Sequence, residues 1–285
     1  MPSITDQLIG TTCRIECSDR AGRVSTGTSF FFQRSYADDT KVPLLFTNRH
    51  VTEGYEQAIL YLSVRAKGSS DAFGVHAAKI PLNGNVFHHP NPDVDLAAIP
   101  LAALMHELDQ GSKEMKAVMI VEELIASSAF LEECQSIEDI YMVGYPNGIW
   151  DKLNNTPIVR RGISATPLNQ KFEGTNRFLI DCASFPGSSG SPVFVFNTGM
   201  HYSRKSNKFD LGGVRFAFVG VMYATFLHTA SGEMVQVPVP TSVKAVPKIQ
   251  TPNSIGICWR ASEIVPFLDH LEGLFGINVP AAANA

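Results

Sequence analysis

The sequence predicts an all-β protein of two tandem β units, with short helices linking them and a further helix near the C-terminal end. Three observations carry this prediction. Short runs rich in β-branched and aromatic residues recur between clusters of Gly, Pro, Asn and Ser, which is the pattern of a closed barrel or a sandwich rather than of βαβ units. These runs fall into two blocks of similar strand count, separated by a stretch of good helix formers. A chain of 285 residues with 45% hydrophobic and 18% charged content is long and apolar enough to bury one large core or two smaller ones.

In chain order, the first block (1–105) contains TTCRIECSD, GTSFFFQRS, VPLLFTNRH, QAILYLSVRA, HAAKIPL and DLAAIPL. Residues 101–136, which include the helical linker (106–135), break the rhythm: LAALMHEL and SKEMKAVMIVEEL space their apolar residues as helices do. The second block (136–260) contains IYMVGYP, PIVRRGISAT, RFLIDCA, SPVFVF, FAFVGVMYATF and SIGICWR. In the closing segment (261–276) Ser262 is placed to N-cap a helix. Ile264, Val265, Leu268, Leu271 and Phe275 would form its buried face, and Gly276 would end it. Pro266 is tolerated in the first turn. The tail 277–285 is expected to be disordered.

A net charge of -4 and a pI near 6.1 give no electrostatic reason to expect nucleic acid or an anionic membrane as a partner. The start, MPSITDQLIG, has neither the basic nor the apolar region of a leader, and no long apolar run follows, so a cytoplasmic, non-membrane protein is expected. Five scattered cysteines provide no disulfide framework. Cys13 and Cys17 on one strand would lie about 13 Å apart, too far to bridge, so free thiols in a reducing compartment are expected.

One stretch concentrates chemistry. DCASFPGSSGSPVFVF (181–196) sets Ser189 in a turn bracketed by Gly187 and Gly190, leading into an apolar strand. Such a turn can present a hydroxyl beside backbone N–H groups, as an acyl-transfer nucleophile and its oxyanion hole require. A serine needs a base within reach and a third group to orient that base. LLFTNRHV (44–51) delivers His50 from a strand end, and NPDVDLAAIPL (91–101) delivers Asp95 at the head of a buried strand. Asp93 would share a face with Asp95, so alternation does not choose between them. Asp95 abuts the apolar run directly, whereas Asp93 fits a solvated turn.

The order His, Asp, Ser with these flanks resembles the trypsin-like serine peptidases of the chymotrypsin fold. TNRHV matches the family's T-x-x-H turn, DLAAIPL its Asp followed by an apolar strand, and GSSGSP its G-x-S-G-G-P. The longer D-x-A-x-x-P-G-x-S-G-x-P is most similar to the bacterial HtrA-type branch, with VGYPNG, RRGISA, FVGVMYA and SIGICWRASEI as further echoes. The resemblance implies two six-stranded antiparallel barrels, and a serine endopeptidase with His50, Asp95 and Ser189 as its triad. It also implies an oxyanion hole from the backbone N–H groups of Gly187 and Ser189. Substrate would be bound by Ala183, at the pocket base, and by Tyr223, Ala224 and Thr225 at its edge. Ala183 offers no carboxylate to Lys or Arg, so small or apolar side chains are expected before the scissile bond. Because His50 must be neutral to act as base, activity should fall in acid.

Two departures stand out. Ser188 replaces the aspartate that in secreted trypsins pairs with a freed N-terminus, and Ser191 replaces the second glycine. By its place in the family pattern the long segment 228–254 would flank the specificity pocket, as a lid or regulatory segment or else as plain disorder, whereas 200–213 has the polarity of a solvated hairpin. The implied partner is a polypeptide substrate, with room for a regulatory protein or self-processing, and no cofactor is implied. Two rivals stand beside this reading. His88, His89, Asp93 and Asp95 form a weak zinc-site candidate, since adjacent strand histidines point to opposite faces. The other rival is a catalytically silent, protein-binding module of the same fold.

Overall fold

The computed structural model describes residues 3–36, 39–204, 207–230 and 249–276. Helix α1 (Ile4–Leu8) precedes strands β1 (Thr12–Ser18), β2 (Val24–Ser35) and β3 (Lys41–Thr47). A single helical turn, α2 (Arg49–Thr52), leads to β4 (Gln57–Ala66), β5 (Gly74–Pro81), β6 (Phe87–His88) and β7 (Ala97–Pro100). Next come α3 (Ala102–Gln110), β8 (Lys113–Met115), β9 (Ile120–Val121) and α4 (Ser128–Glu133). The second half holds β10 (Asp139–Gly144), β11 (Ile158–Ser164), β12 (Arg177–Asp181), β13 (Pro192–Ser203), β14 (Lys208–Ala230) and β15 (Ile249–Arg260), and α5 (Ile264–Phe275) follows.

The strands make two antiparallel systems, as expected, but of different form. Strands β10-β11-β12-β15-β14-β13 close into a six-stranded barrel. The first half, where a second six-stranded barrel is expected, is a nine-stranded sheet with the path β5-β4-β1-β2-β3-β7-β6. Two short strands supply the difference: β8 adds to the end of β4, and β9 runs parallel to β2 at Phe32 and Gln33. They lie in 112–124, where the apolar spacing predicts helix; available sheet edges override that local preference.

Alternation along the central strands explains why these sequences fold as they do. Phe30 and Phe32 of β2, with Leu44 and Phe46 of β3, face a core shared with Val143, Phe194, Phe218 and Trp259 of the barrel and with Phe267 of α5. Phe31 and Leu45 face the other way, onto Ile15, Leu60 and Ile99. The C-terminal helix thus seals the seam between the halves, and its Phe267 meets Phe46 edge-on at 5.6 Å. Arg34 adds an ion pair from β2 to Glu272 of α5 at 3.0 Å.

The C-terminal helix differs from expectation in detail. Residues 261–263 form a 3-10 turn, so Glu263 occupies the N-cap, and the Ser262 hydroxyl accepts a hydrogen bond from Asn176 Nδ2 instead of capping. Phe267 joins Ile264, Leu268 and Leu271 in the core, whereas Val265 is half-buried and Phe275 is 40% exposed. Gly276 ends the helix in the left-handed region as predicted. The predicted 200–213 hairpin is the turn joining β13 to β14, and the ends of the 228–254 segment are strand, with Ala230 opposite Ile249. Its centre, 231–248, and the tail lie outside the described residues.

Candidate active site

The three sequence-predicted side chains come from three places: α2 for His50, the turn before β7 for Asp95, and the loop between β12 and β13 for Ser189. Asp95 grips His50 twice. Its Oδ1 accepts from the His50 backbone N–H at 2.9 Å, and its Oδ2 lies 2.5 Å from Nδ1. Asn48 Nδ2 donates to the Asp95 carbonyl at 2.7 Å, fixing the carboxylate's own backbone. A carboxylate only accepts, so Nδ1 carries a proton, and in the neutral ring the lone pair is then on Nε2. His50 is 48% exposed and Asp95 20%, so the ring is open to solvent while the carboxylate is screened. Asp93 takes the other role: it is exposed, and its N–H closes an Asn91 turn. His89 is buried, with Nδ1 accepting from Asn91 N and Nε2 near the Glu263 carbonyl.

The serine loop is held in a strained, close-fitting form. Gly187 and Gly190 sit at φ +87° and +84°, and a Cβ on Gly190 would collide with the Thr28 carbonyl, so glycine is required at both. Within the loop, Ser188 N–H bonds Phe185 O and Ser191 N–H bonds Ser188 O, while Gly190 N–H bonds Met222 O of β14. Among the described residues the N–H groups of Gly187 and Ser189 have no protein acceptor. The orientation of the first is set remotely: the Pro186 carbonyl accepts from Asn147 N at 2.5 Å. In a trans peptide the N–H of Gly187 must therefore point the opposite way.

Thr28 is the hub that seats this loop on the first half, and sequence reasoning missed it. Its N–H donates to Ser189 O at 2.8 Å, and its hydroxyl donates to Gly187 O at 2.9 Å. The same hydroxyl accepts from Tyr145 N at 3.0 Å and from Ser191 Oγ at 3.2 Å. Its carbonyl accepts from Thr47 Oγ1 at 2.8 Å, three residues before His50. Next to it, a Cβ on Gly27 would lie 2.9 Å from Val51 Cγ2 and 3.3 Å from Ser189 O, so a single residue separates the His50 turn from the serine backbone. The only local signal is a threonine between Gly27 and Ser29, just ahead of the aromatic run Phe30, Phe31 and Phe32.

The expected pocket residues divide. Ala183 is exposed and Ala224 and Thr225 are half-buried, with Thr225 Oγ1 donating to Ile255 O at 2.9 Å. Tyr223 instead turns onto Trp259, ring centroids 5.5 Å apart, and its hydroxyl accepts from Arg177 Nη1 at 2.7 Å. Behind Ala183, buried Ser184 and Met222 converge on Gly256, where a Cβ would lie 3.0 Å and 2.9 Å from them. All five cysteines are free and buried. Cys182 lies beside the serine loop, its thiol pushed up by burial. Among the described residues no group of His, Cys, Asp and Glu could hold a metal ion, and no helix is long and apolar enough to cross a membrane.

A family model described as a trypsin-like peptidase domain matches residues 27–199. Among solved structures, the inactive form of Rv3671c protease is 14% identical, with 94% of this chain and 92% of that chain covered and a TM-score of 0.39. HL collagenase is 11% identical, with 95% of each chain covered and a TM-score of 0.45. No curated protein matches the sequence.

Proposed function

This chain belongs to the trypsin-like peptidase family, and on that premise we propose that it is a serine endopeptidase acting through an acyl-enzyme. The observation that carries the proposal is the two-point grip of Asp95 on His50, which leaves Nε2 as the basic atom. In this reading Ser189 Oγ attacks the peptide carbonyl as Nε2 takes its proton. The imidazolium so formed is stabilised by Asp95 and then protonates the leaving amine. Water repeats the sequence on the ester. The tetrahedral oxyanion is received by the N–H groups of Gly187 and Ser189, and each such donor is worth about 3–4 kcal/mol in comparable sites.

With uncharged Ala183 at the expected pocket base, Ala224 at its edge and Met222 behind, a small or apolar side chain is favoured before the scissile bond. A fluorophosphonate probe tests the nucleophile. Labelling of Ser189 in the wild type and its loss in Ser189→Ala is the expected result. A wild-type protein that stays unlabelled, while folded, would mean a silent binding module. Cleavage-site profiling of a peptide library tests the pocket, and a preference for Lys or Arg would overturn it.

A further inference from the structure

We infer that Arg160 is a positioning residue, an internal cation that locks the loop carrying Ser189 in its working form. The inference rests on the serine-peptidase reading. Arg160 stands near the start of β11 opposite Met142, whose side chain belongs to the barrel core, so its own side chain enters the barrel from the same face. There its Nη1 donates to two oxygens of the serine loop, Ala183 O at 2.8 Å and Ser188 Oγ at 2.7 Å. These two residues are the start of the loop and the neighbour of the nucleophile. Ser188 Oγ also accepts from Phe185 N at 3.2 Å, so one buried hydroxyl gathers the cation and the loop's middle together. Ser188 and this guanidinium therefore tie the loop's start to the residue beside the nucleophile, while Asn147 and Thr28 hold Pro186, Gly187 and Ser189 from other sides.

The arrangement is poor as a stabilising device. Nε and Nη2 of Arg160 are buried with no protein partner among the described residues, and burial lowers the group's pKa. An apolar side chain of similar length would fill the barrel mouth without that desolvation cost. What an apolar chain cannot do is hold Ala183 O and Ser188 Oγ at a fixed separation. That separation constrains the path of the peptides between them, together with the Asn147 N–H bond that fixes the Pro186 carbonyl and so the N–H of Gly187 proposed to receive the oxyanion. Ser188, which resembles a lost ion-pair partner when read from the sequence alone, is the acceptor for a cation the chain supplies itself.

The test compares wild type, Arg160→Lys, Arg160→Met and Arg160→Ala by fluorophosphonate labelling rate, by kcat and KM on a peptide ester, and by thermal unfolding. Arg160→Met should label and turn over about 100-fold more slowly, the scale of losing one oxyanion donor. Its melting temperature should be unchanged or raised. Arg160→Lys, which keeps a donor for both oxygens, should stay within about tenfold of wild type, on the same scale. Ethylguanidinium added to Arg160→Ala should restore labelling, a response that loss of packing alone would not give. Wild-type labelling with equal labelling of Arg160→Met overturns the inference and leaves the peptidase reading intact. So does a loss of activity matched by a loss of melting temperature and not rescued by ethylguanidinium. Absence of wild-type labelling overturns both.

Discussion

Replacing Thr28 by valine keeps the β-branched shape and volume of a residue buried to 0% exposure in mid-strand, and removes only its hydroxyl. That hydroxyl makes three hydrogen bonds, to Gly187 O, Tyr145 N and Ser191 Oγ. At about 1 kcal/mol net each the loss is about 3 kcal/mol. Tyr145 N–H is left buried without an acceptor, and that penalty of about 1–3 kcal/mol brings the total to roughly 4–6 kcal/mol. Since Gly187 O is released at the same time, the serine loop should loosen with the seam. Denaturant unfolding measures the first effect and fluorophosphonate labelling the second. The expected result is a midpoint shifted by that energy at unchanged m-value, with slower labelling of the protein that remains folded. A stability loss below about 1 kcal/mol together with unchanged labelling would refute the assignment of Thr28 as the hub.

Further outcomes follow from the same structure. Asp95→Asn should present His50 in the wrong tautomer and lower kcat by about four orders of magnitude with little change in KM, as in the well-characterised triad; retention within tenfold would remove Asp95 from the mechanism. Burial pushes the thiols of Cys13, Cys17 and Cys134 up to about 12, so all three stay protonated in the folded protein where an unfolded thiol, at about 8.5, ionises. Their contribution to stability is therefore complete below about pH 8.5 and is lost as pH rises toward 12, on the order of 4 kcal/mol for the three at pH 9.5. Urea midpoints at pH 7.5 and 9.5 measure this. A flat profile, or rapid reaction of these thiols with an aromatic disulfide at pH 8, would contradict it.

Much of the architecture is legible in the chain because its signals are local. Leu44, Leu45 and Phe46 run into Thr47 and Asn48, so a strand ends where His50 is needed. Asp95 precedes an uninterrupted apolar run that becomes β7. Gly187 and Gly190 announce positive φ. What is not legible depends on partners distant in sequence. Thr28 reads as one more β-favouring residue, since its contacts at Gly187 and Ser191 lie about 160 positions away. Arg160 reads as a solvated strand cation until β11 is paired and its side chain is seen to enter the barrel. Residues 112–124 space their apolar side chains as a helix would, but edges offered by β4 and β2 draw 113–115 and 120–121 into strand, and only 122–124 form a 3-10 turn. Ser262 has the chemistry of an N-cap, and the nearby Asn176 claims its hydroxyl first.

The central claim is that Ser189 becomes covalently esterified during turnover. Acid quenching of the protein with a p-nitrophenyl ester, followed by intact and peptide mass spectrometry, reads this directly. One acyl group per chain is expected on the peptide containing Ser189, absent from Ser189→Ala and from His50→Ala. Ester hydrolysis that persists in Ser189→Ala, with the acyl group on another residue, would contradict it.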